Sequence, residues 1–210
     1  MLPSTIAKIS IDNLNSEHID SFQRTLSTIL SSPLAELTYS QIIDGLPIRD
    51  VWNAYTWPRL DIENHVSVCD DSVEILKAFR NSFQIHTLAF DGKLLQAYQN
   101  STPDSPAFTL RLLEMIAVAC HDIGAFLYTK AKSDKHELER QGFIRNAPVV
   151  RDPSGNPYPP KPTDFFRPEY QDLDQYPQGV ADMVGYWAEF EIFGGAVLFD
   201  RGEEETDVSY

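Results

Sequence analysis

The chain has 210 residues, of which 42% are hydrophobic and 11% aromatic, and a formal net charge of −14 at neutral pH. This composition is typical of a globular protein with a sizeable core and excludes a disordered chain. The negative charge argues against nucleic acid and anionic membranes as partners, because phosphate groups are bound by clustered lysines and arginines.

The first residues and the two cysteines indicate the cellular compartment of the protein. The opening Met-Leu-Pro-Ser-Thr lacks the basic and apolar regions of a secretory signal, and no apolar stretch is long enough to span a membrane. Cys69 and Cys120 are too few for a disulfide framework. We therefore predict a cytoplasmic protein with two free thiols.

Helices are predicted through the first hundred residues. The first covers 16–30, with Asn15 or the next serine as its cap, and a short one covers 34–46. A longer helix is expected over 72–100, bent or split in two at Gly92. The apolar stripe of the first helix consists of Ile19, Phe22, Leu26, Ile29 and Leu30.

The helix predicted over 107–132 is the best-defined element of the chain. Its residues are apolar nearly all round, which places such a helix in the middle of a fold. We expect Leu113 and Ile116 to be core residues.

Composition changes after residue 147. Eight of the fourteen prolines lie between Pro148 and Pro177, a density that excludes regular helix or central strand, while the aromatic residues among them predict docking on the helical body. A helix is expected over 179–193, followed by a short strand at 196–199. Much of the negative charge lies between 164 and 207 and is interpreted as a solvated face.

Together these elements predict a mainly α fold: a helical bundle-like core with an irregular proline-rich extension and a short C-terminal strand. We expect a single domain over 1–210. Its parts are a helical body (1–147), a docked proline-rich segment (148–178), a helix and strand (179–202) and a frayed tail (203–210).

One candidate catalytic motif, His-Asp-Ile-Gly at 121–124, lies in the most apolar helix. It resembles the second motif of HD-domain metal phosphohydrolases, in which a His, a His-Asp pair and a later Asp hold divalent metal that activates water. That resemblance implies a divalent-metal site formed by His86, His121, Asp122 and Asp182.

Asp122 has no cation within reach on its own helix, so it needs a partner from elsewhere in the fold. We expect His86, Arg80 or a tail residue. The residues leave three alternatives open: a structural His-Asp pair, a metal site, or a metal-free acid–base pair.

The other histidines show no Cys/His spacing of the zinc type. His18 on the first helix and His65 in a loop are expected at the surface. His136 belongs to the charged run 130–140, which is typical of a solvated helix end. Neither a glycine-rich phosphate loop nor a nucleophile elbow is present.

Three segments near the C-terminus have a distinctive word order: PTDFF at 162–166, YPQGVADMVGYWAE at 176–189 and FGGAVLFDRG at 193–202. They resemble the C-terminal signature of a largely uncharacterised family of fungal proteins. That resemblance implies a fungal source and a role in metabolism, including secondary metabolism, and assigns no catalytic residue.

Between this tail and the helical body, aromatic walls and a few polar groups are typical of a small-molecule site, although plain packing would use the same residues. The candidate substrate-binding residues are Tyr186, Trp187, Glu189 and Arg201.

The leading functional hypothesis is a small-molecule enzyme without cofactor, of isomerase or cyclase type, with His121, Asp122 and His86 as catalytic residues. One alternative is an HD-like phosphohydrolase that requires a divalent metal. The other is a non-enzymatic helical binding or scaffold protein whose acidic tail contacts a basic partner.

Overall fold

The computed structural model describes residues 8–54, 60–138, 141, 154–155, 161–170, 173–195 and 197, and confirms a mainly α fold. The helices are α1 (Ser16–Leu30), α2 (Pro33–Asp44), α3 (Arg49–Asn53), α4 (Leu60–Glu63), α5 (Asp70–Ser82), α6 (Gly92–Asn100), α7 (Pro106–Lys130) and α8 (Val180–Phe193). Strands β1 (Lys8–Ser10) and β2 (Ala89–Asp91) pair antiparallel. Within the described ranges, each helix is too short or too polar to cross a membrane.

Helix α7 is the centre of the fold, as predicted. It begins where the Ser105 side chain accepts from the Phe108 backbone N–H, with Pro106 in the first turn. It packs mainly on α8 and also contacts α1, α2 and α6. Ile116 is fully buried, but Leu113 is 40% exposed, so the prediction that Leu113 is a core residue is wrong.

Helix α1 has the predicted bounds and the predicted cap, Asn15. The prediction that His18 is exposed is wrong, because the side chain is buried against the rings of Tyr98 and Phe108. These two aromatic residues come from α6 and α7, which cover this face of α1.

The helix predicted over 72–100 is divided, and Gly92 begins its second half as expected. The first half already ends at Ser82, and a 3₁₀ turn (Ile85–Thr87) and β2 lie between the halves. Pairing of β2 with β1 accounts for the early break, because extended backbone cannot continue a helix.

In the described part of the proline-rich segment, 154–155, 161–170 and 173–178, the chain forms turns and one 3₁₀ turn, without long helix or strand. Phe165 packs on Trp187 and Phe166 on Trp52, so this part is docked on the helical body as predicted. The strand expected at 196–199 and the tail at 203–210 lie outside the described residues, apart from residue 197.

We predict that Ile116→Ala lowers the free energy of unfolding by about 2–5 kcal/mol, because it leaves a cavity in a fully buried site. The matched control is Leu113→Ala on the same helix, which should cost less than about 1 kcal/mol. Urea unfolding of both variants measures the difference. Equal losses would contradict the burial pattern of α7.

Candidate functional site

His121 is enclosed between α7 and α8 by two carboxylates. Its Nδ1 lies 2.9 Å from Glu189 Oε1 and its Nε2 lies 3.1 Å from Asp182 Oδ1. Asp182 and Glu189 are seven residues apart, so two turns of α8 bring both to the face that contacts α7. Since ionised carboxylates only accept hydrogen bonds, both ring nitrogens donate and the ring is an imidazolium.

The electrostatics of the site agree with this assignment. Burial alone would lower the pKa of His121, but the hydrogen bonds to Asp182 and Glu189 outweigh it and raise the pKa to about 9. Burial would likewise raise the pKa of Asp182, but hydrogen bonds from His121 and Gln178 lower it. Gln178 donates to Asp182 from its backbone N–H at 2.7 Å and from its side chain at 2.9 Å.

Two glycines allow α7 and α8 to approach closely. A Cβ atom on Gly185 would lie 2.7 Å from three ring atoms of His121. A Cβ on Gly124 would lie 3.0 Å from Ala188 Cβ. The imidazole therefore occupies space that only glycine leaves open, with the Tyr186 ring edge-on at 4.5 Å.

A cavity of about 1080 Å³ opens beside His121. Its size is near the upper end of small-molecule sites (roughly 300–1,000 Å³), and it combines apolar walls with a few polar groups. The apolar lining includes Phe79, Phe83, Leu88, Ile123 and Phe126. The polar lining includes His121, Asp122, Gln178, Asp182 and Tyr186.

Asp122 lies in the wall of this cavity with 21% of its side chain exposed. Its Oδ2 is 3.3 Å from Lys8 Nζ, which β1 brings to the cavity rim. A partner from elsewhere in the fold was predicted, but the candidates were wrong. Arg80 binds Glu36 and the Leu30 carbonyl instead.

Tyr186 is the member of the predicted substrate-binding set that lines the cavity. Tyr170 stacks on it at 5.0 Å and Tyr176 packs at 5.3 Å. Burial raises the pKa of Tyr186 to about 12, so its hydroxyl stays protonated at neutral pH. Trp187 is instead fully buried in the core, Glu189 lies behind His121, and Arg201 is outside the described residues.

His86 does not join this site. It lies 56% exposed in a 3₁₀ turn, its Nδ1 is paired with Asp12, and it lines a different cavity. The four residues implied by the HD resemblance therefore do not converge. Among the described residues, metal-ligand spacing occurs at Asp44, Cys69 and His136 instead.

Sequence reasoning missed Lys8, Gln178 and Gly185. Gly185 lies three residues after Asp182 and four before Glu189, on the same helix face. A glycine between two acids within an apolar helix signals close approach of another group, and this signal was available. The contribution of Lys8 depends on its β pairing with Asp91, far along the chain, and has no local signal.

Comparison with protein-family models, curated proteins and solved structures finds no match for this chain. The resemblances to the fungal family and to HD phosphohydrolases therefore stay predictions. Function must be inferred from the site itself.

We predict that stability falls as pH rises through the pKa of His121. The folded-state pKa of about 9 lies above the ordinary value of 6.5, so the stabilisation is complete below about pH 6.5 and lost above about pH 9. The loss should be about 1–3 kcal/mol, measured by urea unfolding across this range. His121→Gln should remove this slope. An unchanged slope in that variant would assign the effect to another group.

We also predict that Gly185→Ala displaces the imidazole, because the added methyl group would overlap the ring. The pKa of His121, followed by NMR titration, should fall towards 6.5 as the hydrogen bonds to Asp182 and Glu189 lengthen. Gly195→Ala is the matched control, since a Cβ there meets nothing within 4 Å. A titration like that of the native protein would contradict the predicted displacement.

Proposed function

We propose that this protein is an enzyme that binds a mostly apolar small molecule beside His121 and moves a proton within it, as an isomerase or cyclase does. The observation that carries this proposal is the convergence of Asp122, Tyr186 and the His121–Asp182 pair on one apolar cavity. No organic cofactor takes part in the proposed reaction.

Asp122 is the proposed base. Its carboxylate faces the cavity, is partly shielded from water and is balanced by Lys8, while its backbone is fixed in the central helix. A carboxylate in this position accepts a proton from a carbon or hydroxyl of the bound molecule and returns it at another atom. The reaction is therefore balanced without oxidant, reductant or second substrate.

Tyr186 is the proposed hydrogen-bond donor. Because its hydroxyl stays protonated at neutral pH, it would stabilise negative charge that develops on a substrate oxygen as the proton leaves. Stacking by Tyr170 and packing by Tyr176 hold the ring in place.

His121 has a different role from the catalytic one first predicted for it. It carries its proton at neutral pH, and both nitrogens are bound to carboxylates, so it is not available as a base. We assign it as a positioning residue that fixes Asp182 and supports the Tyr186 ring.

The lining favours a neutral or cationic substrate over a phosphate ester. Asp122 and Asp182 face the cavity, and the lysines among its described lining residues are Lys8, already paired with Asp122, and Lys130. This charge balance opposes a phosphorylated substrate without added metal.

We predict that Asp122→Asn keeps ligand binding but slows proton transfer by about 10²–10⁴-fold. Compounds that the protein retains from a library of apolar small molecules would be identified by mass spectrometry. Each would then be incubated with protein in deuterated water, and deuterium incorporation would be followed by NMR. Asp20→Asn, an exposed carboxylate on α1, is the matched control and should exchange like the native protein.

A second variant tests the place of binding. Ser82→Trp at the cavity rim should abolish retention, because the larger side chain would occupy the space of the ligand. The fold should tolerate this change, since Ser82 is exposed and donates to carbonyls of its own helix. Retention without exchange in the native protein would support the non-enzymatic binding alternative. Retention that Ser82→Trp leaves unchanged would show that this cavity is not the site.

A further inference from the structure

A second cluster of ligating side chains lies where α2 ends and α5 begins, apart from the lining of the cavity beside His121. Asp44, the last residue of α2, is 1% exposed. Its Oδ2 lies 2.8 Å from His65 Nε2 and 3.4 Å from His136 Nε2. The ligand atoms of Asp44, Cys69 and His136 all lie within 4.8 Å of one another.

His65 lies beside this group and contacts the Asp44 carboxylate. Its Nδ1 lies 3.0 Å from the Pro47 carbonyl oxygen, which only accepts, so Nδ1 carries the hydrogen and Nε2 faces Asp44. At 2.8 Å this Nε2 is in direct hydrogen-bond contact with the carboxylate, so His65 orients Asp44 from the side. Groups that hydrogen-bond a ligating carboxylate fix its direction towards a metal ion.

Cys69 supplies a sulfur ligand to the same place. It precedes the first turn of α5, and its side chain makes no cap hydrogen bond there. Lys135 Nζ lies 2.8 Å from Sγ and donates to it. The same sulfur lies within 4.8 Å of the ligand atoms of Asp44 and His136.

The protein holds these ligands together through contacts of its own. Ser72 donates to Asp44 Oδ1 at 3.0 Å, which fixes the carboxylate. The backbone N–H of Ser133 donates to the Ile43 carbonyl at 2.6 Å, which docks the segment that carries His136 on the end of α2.

We propose that Asp44, Cys69 and His136 form a zinc site, in which His65 holds the Asp44 carboxylate in place. One sulfur, one imidazole nitrogen and one carboxylate oxygen match the preferences of Zn²⁺, whereas Mg²⁺ and Ca²⁺ prefer sites built from oxygen alone. The bound ion joins α2, the loop before α5 and the segment after α7. Its role is therefore structural, and it is independent of the chemistry proposed at Asp122.

The test uses the whole chain, stripped of metal with a chelator and titrated with Zn²⁺ against a chromophoric competitor. We expect one tightly bound zinc ion per chain and a rise in melting temperature. With Co²⁺ as a spectroscopic substitute, a sulfur-to-metal charge-transfer band should appear. Zinc should also slow alkylation of Cys69 by iodoacetamide.

Cys69→Ala should abolish the band and the rise in melting temperature, and His136→Gln should weaken zinc binding by about tenfold or more. Cys120→Ala and His86→Gln are matched controls away from the cluster and should bind zinc like the native protein. Asp44 is fully buried, so its replacement would disturb the fold even without metal, whereas Cys69 and His136 are partly exposed. Circular dichroism of each metal-free variant confirms folding.

Three results would overturn the zinc site. The first is native protein that takes no zinc from the competitor. The second is zinc binding that Cys69→Ala and His136→Gln leave unchanged while both variants are folded. Alkylation of Cys69 at the same rate with and without zinc would also count against the site, because a ligating sulfur is not free to react.

Discussion

The packing of α7 on α8 depends on one charged imidazole ring held between two carboxylates. Burying an ion is costly unless it is paired and hydrogen-bonded, and here His121 meets Asp182 and Glu189 at once. The ring fits only because Gly185 has no side chain to occupy the same space. Loss of any one member would leave the others with an unpaired buried charge or a gap, so the two helices are held in one relative position.

This position determines the cavity. Asp122 follows His121 directly, and fixing the histidine directs the next side chain into the cavity wall. Tyr186 follows Gly185 on α8 and faces the same space, while the docked proline-rich segment supplies Tyr170 and Tyr176 as its support. The site therefore combines residues from the start, the middle and the end of the chain, and a single element would not have formed it.

Local patterns were enough to predict α1, α7 and α8 within two residues, since each has an amphipathic or apolar period and a recognisable boundary. Predictions failed where distant contacts decide. His18 is buried because α6 and α7 cover it, and the 72–100 region breaks because β2 pairs with β1. At the site, Asp182 and Glu189 were chosen as a metal ligand and a substrate contact, yet in the structure both bind His121. The cluster around Asp44 had no sequence signal, because its ligands come from three separate segments.

The site at His121 and the cluster around Asp44 differ in the ratio of imidazole rings to carboxylates. This ratio determines which cation each site suits. At His121 two carboxylates enclose one ring, so the proton itself is the resident cation, and the pKa of about 9 expresses how firmly it is held. At Asp44 two rings share one carboxylate oxygen, and a sulfur lies beside them. There the proposed divalent ion would use the His136 nitrogen, the Asp44 oxygen and the Cys69 sulfur together. The same residue types thus hold a proton at one site and fit a metal ion at the other.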